Sequence, residues 1–137
     1  MIIKSYLILN RGRFNMTRVV HFEVMAEDPA RAMKFYKNVF GWEIVKWAEG
    51  AQDYWLVTTG SNEEPGINGG IAKSQGQPMT VNTIDVPSVD DFSAKVVQNE
   101  GKIVVPKMAI PGVGYLVYCQ DTEGVMFGLM QADSSAS

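Results

Sequence analysis

Histidine and cysteine are nearly absent from this sequence: 137 residues hold one of each, His21 and Cys119. A single cysteine excludes an internal disulfide and suits a reducing cytoplasm. With no adjacent histidine or basic residue to lower its pKa, Cys119 reads as an inert thiol. A single histidine excludes any catalytic or metal-binding scheme that needs several imidazoles. Runs of Lys or Arg are also missing, and the net charge is −3. That balance repels phosphate backbones and argues against nucleic acid as a partner. No apolar stretch approaches the roughly 20 residues that span a bilayer, so no membrane segment is expected. A Ser-His-Asp order, a phosphate loop and a dinucleotide fingerprint are all lacking, and the glycines between Gly66 and Gly70 have no strand-turn-helix context.

What is present suits one globular domain: 46% hydrophobic and 20% charged residues, enough to bury a core without staples. The first ten residues resemble a signal peptide only briefly. Lys4 and Ser5 break the apolar run, Arg11 and Arg13 follow it, and no small-residue cleavage site appears. Residues 1–15 read as an extension outside the core, with Met16 directly before the first clear strand. The alternative is an added edge strand from Ile2 to Leu9, given its β-branched and aromatic content. Residues 16–133 are expected as the single domain, and 134–137 as a disordered tail.

Within that domain one pattern occurs twice. Arg18 to Met25 alternates as a half-buried strand, with Val20, Phe22 and Val24 on one side and His21, Glu23 and Met25 on the other. Asp28 as N-cap and Pro29 at the first helical position predict a helix. Ala32, Phe35, Tyr36, Val39 and Phe40 form its apolar stripe, and Gly41 stops it. Three strands follow, Trp42 to Trp47, Tyr54 to Thr59 and Ile67 to Lys73. The order then repeats: a strand from Thr80 to Val86, a helix capped by Ser88 with Val89, Phe92 and Val96 inward, and a stop at Gly101, sixty positions after Gly41. Three more strands run from Lys102 to Ile110, Tyr115 to Gln120 and Val125 to Gln131. Matching helix stops with matching strand counts predict a duplication. The fold class is therefore α+β, with two tandem βαβββ modules over residues 18–74 and 79–131. Their mixed sheet is expected to be concave, a natural ligand site.

The motifs His21-Phe22-Glu23-Val24, Asp28-Pro29-Ala30-Arg31-Ala32 and Phe35-Tyr36-Lys37-Asn38-Val39-Phe40-Gly41-Trp42 resemble the vicinal-oxygen-chelate superfamily. This group contains glyoxalase I, bleomycin-resistance proteins and extradiol dioxygenases. Ile84-Asp85-Val86 and Asp121-Thr122-Glu123-Gly124-Val125-Met126-Phe127-Gly128-Leu129 carry the likeness in the second half, and Gly69-Gly70-Ile71 is similar to a short bacterial subgroup. The resemblance implies a glyoxalase-type fold and, for an enzyme, a lyase, isomerase or dioxygenase. It also implies metal ligands on the first and last strand of each module. His21 fits the first position, but the others fall on Val81, Gly128 and about Gly70; a one-residue shift offers only Asn82 or Asn68. Three protein ligands are the usual minimum for a catalytic zinc, and hard cations need several oxygens. No metal or other cofactor is therefore expected.

The expected function is metal-independent binding of a flat or amphipathic metabolite by a cytoplasmic homodimer. The alternative is a glyoxalase- or dioxygenase-like metalloenzyme with an altered ligand set including His21 and Glu23. His21 and Glu23 are the catalytic candidates, because histidine titrates near neutrality and a carboxylate neighbour tunes it. A hydrogen-bonded structural pair is the competing reading. The expected ligand-binding residues are His21, Glu23, Trp55, Asn68, Gly70, Thr83, Tyr118, Met126 and Gly128. Trp55 and Tyr118 would stack on a flat ligand, and Met126 beside Gly128 would give an adaptable floor.

Overall fold

The computed structural model describes residues 17–47 and 53–137; the readings of residues 1–15 lie outside this set. Two compact units divide the described chain, residues 21–81 in one and residues 17–20 with 82–137 in the other. Strand-helix-three-strand order appears twice. It runs β1 (Val19–Ala26), α1 (Pro29–Phe40), β2 (Glu43–Lys46), β3 (Tyr54–Thr58) and β4 (Asn68–Lys73), then β5 (Met79–Asp85), α2 (Val89–Gln98), β6 (Lys102–Ile110), β7 (Gly114–Gln120) and β8 (Met126–Ala132). This is the α+β class and the repeated βαβββ pattern that the sequence predicts.

In the first unit the strand order is β2-β3-β4-β1. β1 and β4 run parallel, with His21 opposite Asn68 and Glu23 opposite Gly70, whereas β3 is antiparallel to both β2 and β4. The alternation of β1 sends Phe22 and Val24 toward α1. There they join Ile44, Val57 and Ile71 in a core completed by Ala32, Met33 and Tyr36. Ile71 is fully buried, and burying such a side chain contributes about 1.5–3 kcal/mol.

The second unit repeats this arrangement as β5-β8-β7-β6, with β5 parallel to β8 and the remaining pairs antiparallel. Its core joins Val86, Val89, Val117, Cys119 and Leu129 to Phe92 and Val96. Burial pushes the Cys119 thiol pKa up, the direction of an inert thiol.

The helix boundaries follow from local chemistry. Asp28 accepts from the Arg31 N–H at 3.1 Å, and Ser88 accepts from the Asp91 N–H at 3.1 Å, each satisfying a donor that the first turn leaves open. Gly41 ends α1 in the left-handed region at φ 71°. The end of α2 differs from expectation. The left-handed residue there is Glu100, at φ 72°. Its N–H donates to Val97 O at 3.1 Å, and that of Gly101 to Val96 O at 2.8 Å, the paired bonds of a Schellman cap. Gly101 is required for a different reason: a Cβ there would lie 2.7 Å from Val96 Cγ1 and 2.8 Å from the Gln120 carbonyl oxygen.

Two further expectations are corrected. The α1 stripe divides, because Ala32 and Tyr36 face the sheet while Phe35, Val39 and Phe40 are 56–58% exposed. The five positions do share one helical stripe, but the sheet meets only the edge of it that holds Ala32 and Tyr36, joined there by Met33. The C-terminal residues, expected as a frayed tail, are held in place. Ala136 is buried, its carbonyl accepts from the Gly112 N–H at 3.0 Å, and its own N–H donates to Asp133 O.

Candidate functional site

Each sheet has a face turned away from its helix, and the candidate residues divide between those two faces. In the first unit His21 and Glu23 stand two apart on β1 and are both buried. Beside them β4 places Gly70 opposite Glu23. The Tyr54 ring reaches from β3 across that glycine: a Cβ at Gly70 would overlap the phenol itself. Tyr54 pairs with Ala72 and Leu56 with Gly70, so the tyrosine leans diagonally along the sheet. Its hydroxyl ends 2.9 Å from His21 Nε2. A glycine on the intervening strand is what lets one side chain span two strand spacings.

The neighbouring Gly69 performs the same service on the opposite face, where a Cβ would sit 2.7 Å from Phe22 Cδ1. The Gly69-Gly70 pair thus seats one aromatic ring on each side of β4: Phe22 toward the helix and Tyr54 toward the candidate site.

Burial sets the chemistry of His21. Removed from water, its imidazole has a pKa lowered from 6.5 to about 4, because desolvation disfavours the charged ring. The expectation of titration near neutrality, tuned by a carboxylate, is corrected accordingly. At neutral pH the ring is uncharged and engaged with a phenol.

Other candidates take different places. Trp55 is not on this face. It packs with Ile44, Val57 and Ile71 on the helix side, and the Lys46 ammonium lies 5.6 Å from its ring centroid. Alternation along β3 requires this once Tyr54 faces His21. Asn68 is committed to its own loop, its Oδ1 accepting from the Thr59 N–H at 2.9 Å. The residue that sequence reasoning missed is therefore Tyr54, one position from the tryptophan it favoured. The signal available was the glycine at 70 together with the period of two along β3.

In the second unit Thr83, Tyr118 and Gly128 do come together. A Cβ on Gly128 would lie 3.4 Å from Thr83 Oγ1, 3.5 Å from Leu116 Cδ1 and 3.7 Å from Tyr118 Cε1. These are ordinary contacts, so an alanine fits there. Met126 stands opposite Gln120 on the same strand as Gly128 and is half-buried. Elsewhere in this unit a depression of about 570 Å³ runs along α2, lined by Pro87, Asp91, Phe92, Ala94, Lys95 and Gln98. It is open to solvent and contains none of the candidate residues, so no site is assigned there.

The positions implied for metal ligands are occupied by other chemistry. His21 is bonded to Tyr54, Val81 is a fully buried hydrocarbon, the space over Gly70 is filled by the phenol, and Gly128 has no side chain. Among the described residues no group of three or more His, Cys, Asp or Glu side chains could hold an ion. This donor set does not fit a divalent cation.

The family model for the Glyoxalase/Bleomycin resistance protein/Dioxygenase superfamily matches residues 18–129. The chain belongs to that superfamily. No curated protein matches it. Among solved structures it is similar to a variant of Streptomyces coelicolor methylmalonyl-CoA epimerase in complex with 2-nitronate-propionyl-CoA. That likeness has a TM-score of 0.63 and 13% identity over 90% of this chain and 99% of that one. A hypothetical protein from Bacillus halodurans gives 0.65 and 10% over the same shares. The methylmalonyl-CoA epimerase of Mycobacterium tuberculosis gives 0.60 and 14%, over 90% and 95%. At these identities the likeness shows the fold alone. No described helix of this superfamily member is long and apolar enough to cross a membrane.

Proposed function

We propose that this superfamily member is a small-molecule-binding protein that works without a metal, and that its ligand is flat or amphipathic. The observation that carries this reading is the buried His21–Tyr54 pair over Gly70. A neutral imidazole and a phenol on a sheet face, beside the buried Glu23, gather the few convergent polar groups that a small-molecule site uses to orient its ligand. The same pair speaks against the metalloenzyme alternative, because the tyrosine fills the space beside the one histidine. Superfamily membership and the bound 2-nitronate-propionyl-CoA of a similar structure support a small molecule, rather than a nucleic acid, as the partner. The single buried thiol suits a cytoplasmic setting, and the exposed Phe35, Val39 and Phe40 support a homodimer.

A thermal-shift screen of purified protein against flat and amphipathic compounds tests the reading. The expected result is at least one compound that raises the midpoint in a concentration-dependent way in the presence of chelator. Hits confined to metal-loaded protein would favour the metalloenzyme instead.

A further inference from the structure

The two modules carry their helices at equivalent places in the repeat but with unlike outer surfaces. α1 holds Arg31, Lys34 and Lys37 and no carboxylate, and its Phe35 and Val39 are each 56% exposed. Arg31, Phe35 and Val39 are four apart in sequence, so they form one ridge about 12 Å long. α2 begins instead with Asp90 and Asp91, and along it runs the open depression of about 570 Å³. Asp91 stands at one end of its lining, Ala94 and Lys95 in the middle, and Gln98 at the other end, a span of about 10 Å on a helix. Asp90 is held by Lys107 at 3.2 Å. Among the described residues, neither Arg31 nor Asp91 stands in an ion pair.

We infer that the α1 ridge of one copy docks in the α2 depression of a second copy, and that this contact is made twice about a twofold axis. The inference rests on the homodimer proposed above and names the surface that the exposed α1 residues meet. Ridges of residues four apart are what enter the grooves of a neighbouring helix. Arg31 lies at the amino end of the ridge and Asp91 at the amino end of the depression, so pairing them runs the two helices in the same direction. That alignment sets Phe35 over Ala94, whose small side chain leaves room for a ring, and Val39 beside the stem of Gln98. Lys95 keeps its ammonium 4.5 Å from the Phe92 centroid, and the incoming Phe35 ring covers the other side of that cation. Contact between α1 and a second α1 would instead bring three cations toward three with no carboxylate between them, an unfavourable juxtaposition of like charges. Because ridge and depression differ, a single contact leaves one of each uncovered, and the twofold arrangement uses both.

Sedimentation equilibrium of the wild type, Arg31→Glu, Asp91→Arg and an equimolar mixture of the two variants tests the docking. Both residues are exposed, so each variant is expected to unfold at a midpoint close to that of the wild type. The expected result is a wild-type dimer that either charge reversal weakens on the order of tenfold or more. Mixing the two variants restores wild-type affinity, because every contact in a mixed pair again joins opposite charges. That recovery also shows that neither variant had lost its fold. Phe35→Ala weakens association on the order of thirtyfold, the loss expected of a ring at the centre of an interface. Unchanged association in Asp91→Arg, or a mixture no tighter than its components, overturns the docking even where the wild type is a dimer. A monomeric wild type overturns the homodimer as well. In either case a compound found by the thermal-shift screen sustains the small-molecule reading separately.

Discussion

His21 couples the stability of this fold to pH through burial. Its pKa is about 4 in the folded chain and 6.5 as a free side chain, so between these values the unfolded state binds more protons. Stability is full above pH 6.5 and falls as the pH drops toward 4, by about 3 kcal/mol across the window. Denaturant titrations of wild type and His21→Gln from pH 7 to 5 check this; the expected outcome is a flatter profile in the variant. Gly70→Ala drives a methyl into the Tyr54 phenol and should cost at least about 2 kcal/mol, a cost that shrinks in a Tyr54→Ala background. Additive penalties would show that the two positions do not meet. The alternation of β1 made His21 and Glu23 legible as one face. Tyr54 was not, because a period of two assigns faces along a strand but says nothing of how far a side chain leans across the next strand. The pKa of His21 was likewise out of reach, since it depends on how much water the fold excludes.

The two helices end at glycines sixty positions apart that look equivalent in sequence and are not. Gly41 supplies a left-handed conformation, and a methyl added there would meet nothing within 4 Å, whereas Gly101 supplies space. Gly41→Ala should cost about 1 kcal/mol through backbone strain. Gly101→Ala should cost more, through overlap with Val96 and the Gln120 carbonyl. Relieving the left-handed glutamate by Glu100→Gly should stabilise α2 by up to about 1 kcal/mol. Thermal unfolding of the three variants checks the order, and a lower midpoint for Glu100→Gly contradicts the assigned cap. Capping chemistry was readable at Asp28, Pro29 and Ser88 because it is local. The choice between Glu100 and Gly101 was not, because one needs a dihedral angle and the other a neighbour from β7. For the same reason the α1 stripe was overdrawn: apolar spacing shows which residues could face a sheet, not how wide that sheet is.

At the scale of the molecule, an acidic two-module chain keeps its superfamily's fold, while among its described residues the donor set does not fit the metal its superfamily implies. The exposed Phe35, Val39 and Phe40 lead us to expect a dimer that Phe35→Glu with Phe40→Glu converts to monomer; sedimentation equilibrium decides, and a monomeric wild type contradicts it. The duplication and the motifs carried the fold because both are spread over the whole sequence. Function was less legible, since it turns on a few side chains whose meeting depends on register. Elemental analysis of the chain after mild purification, beside His21→Ala, tests the central claim most directly. The predicted result is well under one equivalent of nickel, zinc, iron or manganese in both proteins. One equivalent in the wild type that disappears in the variant would contradict the account.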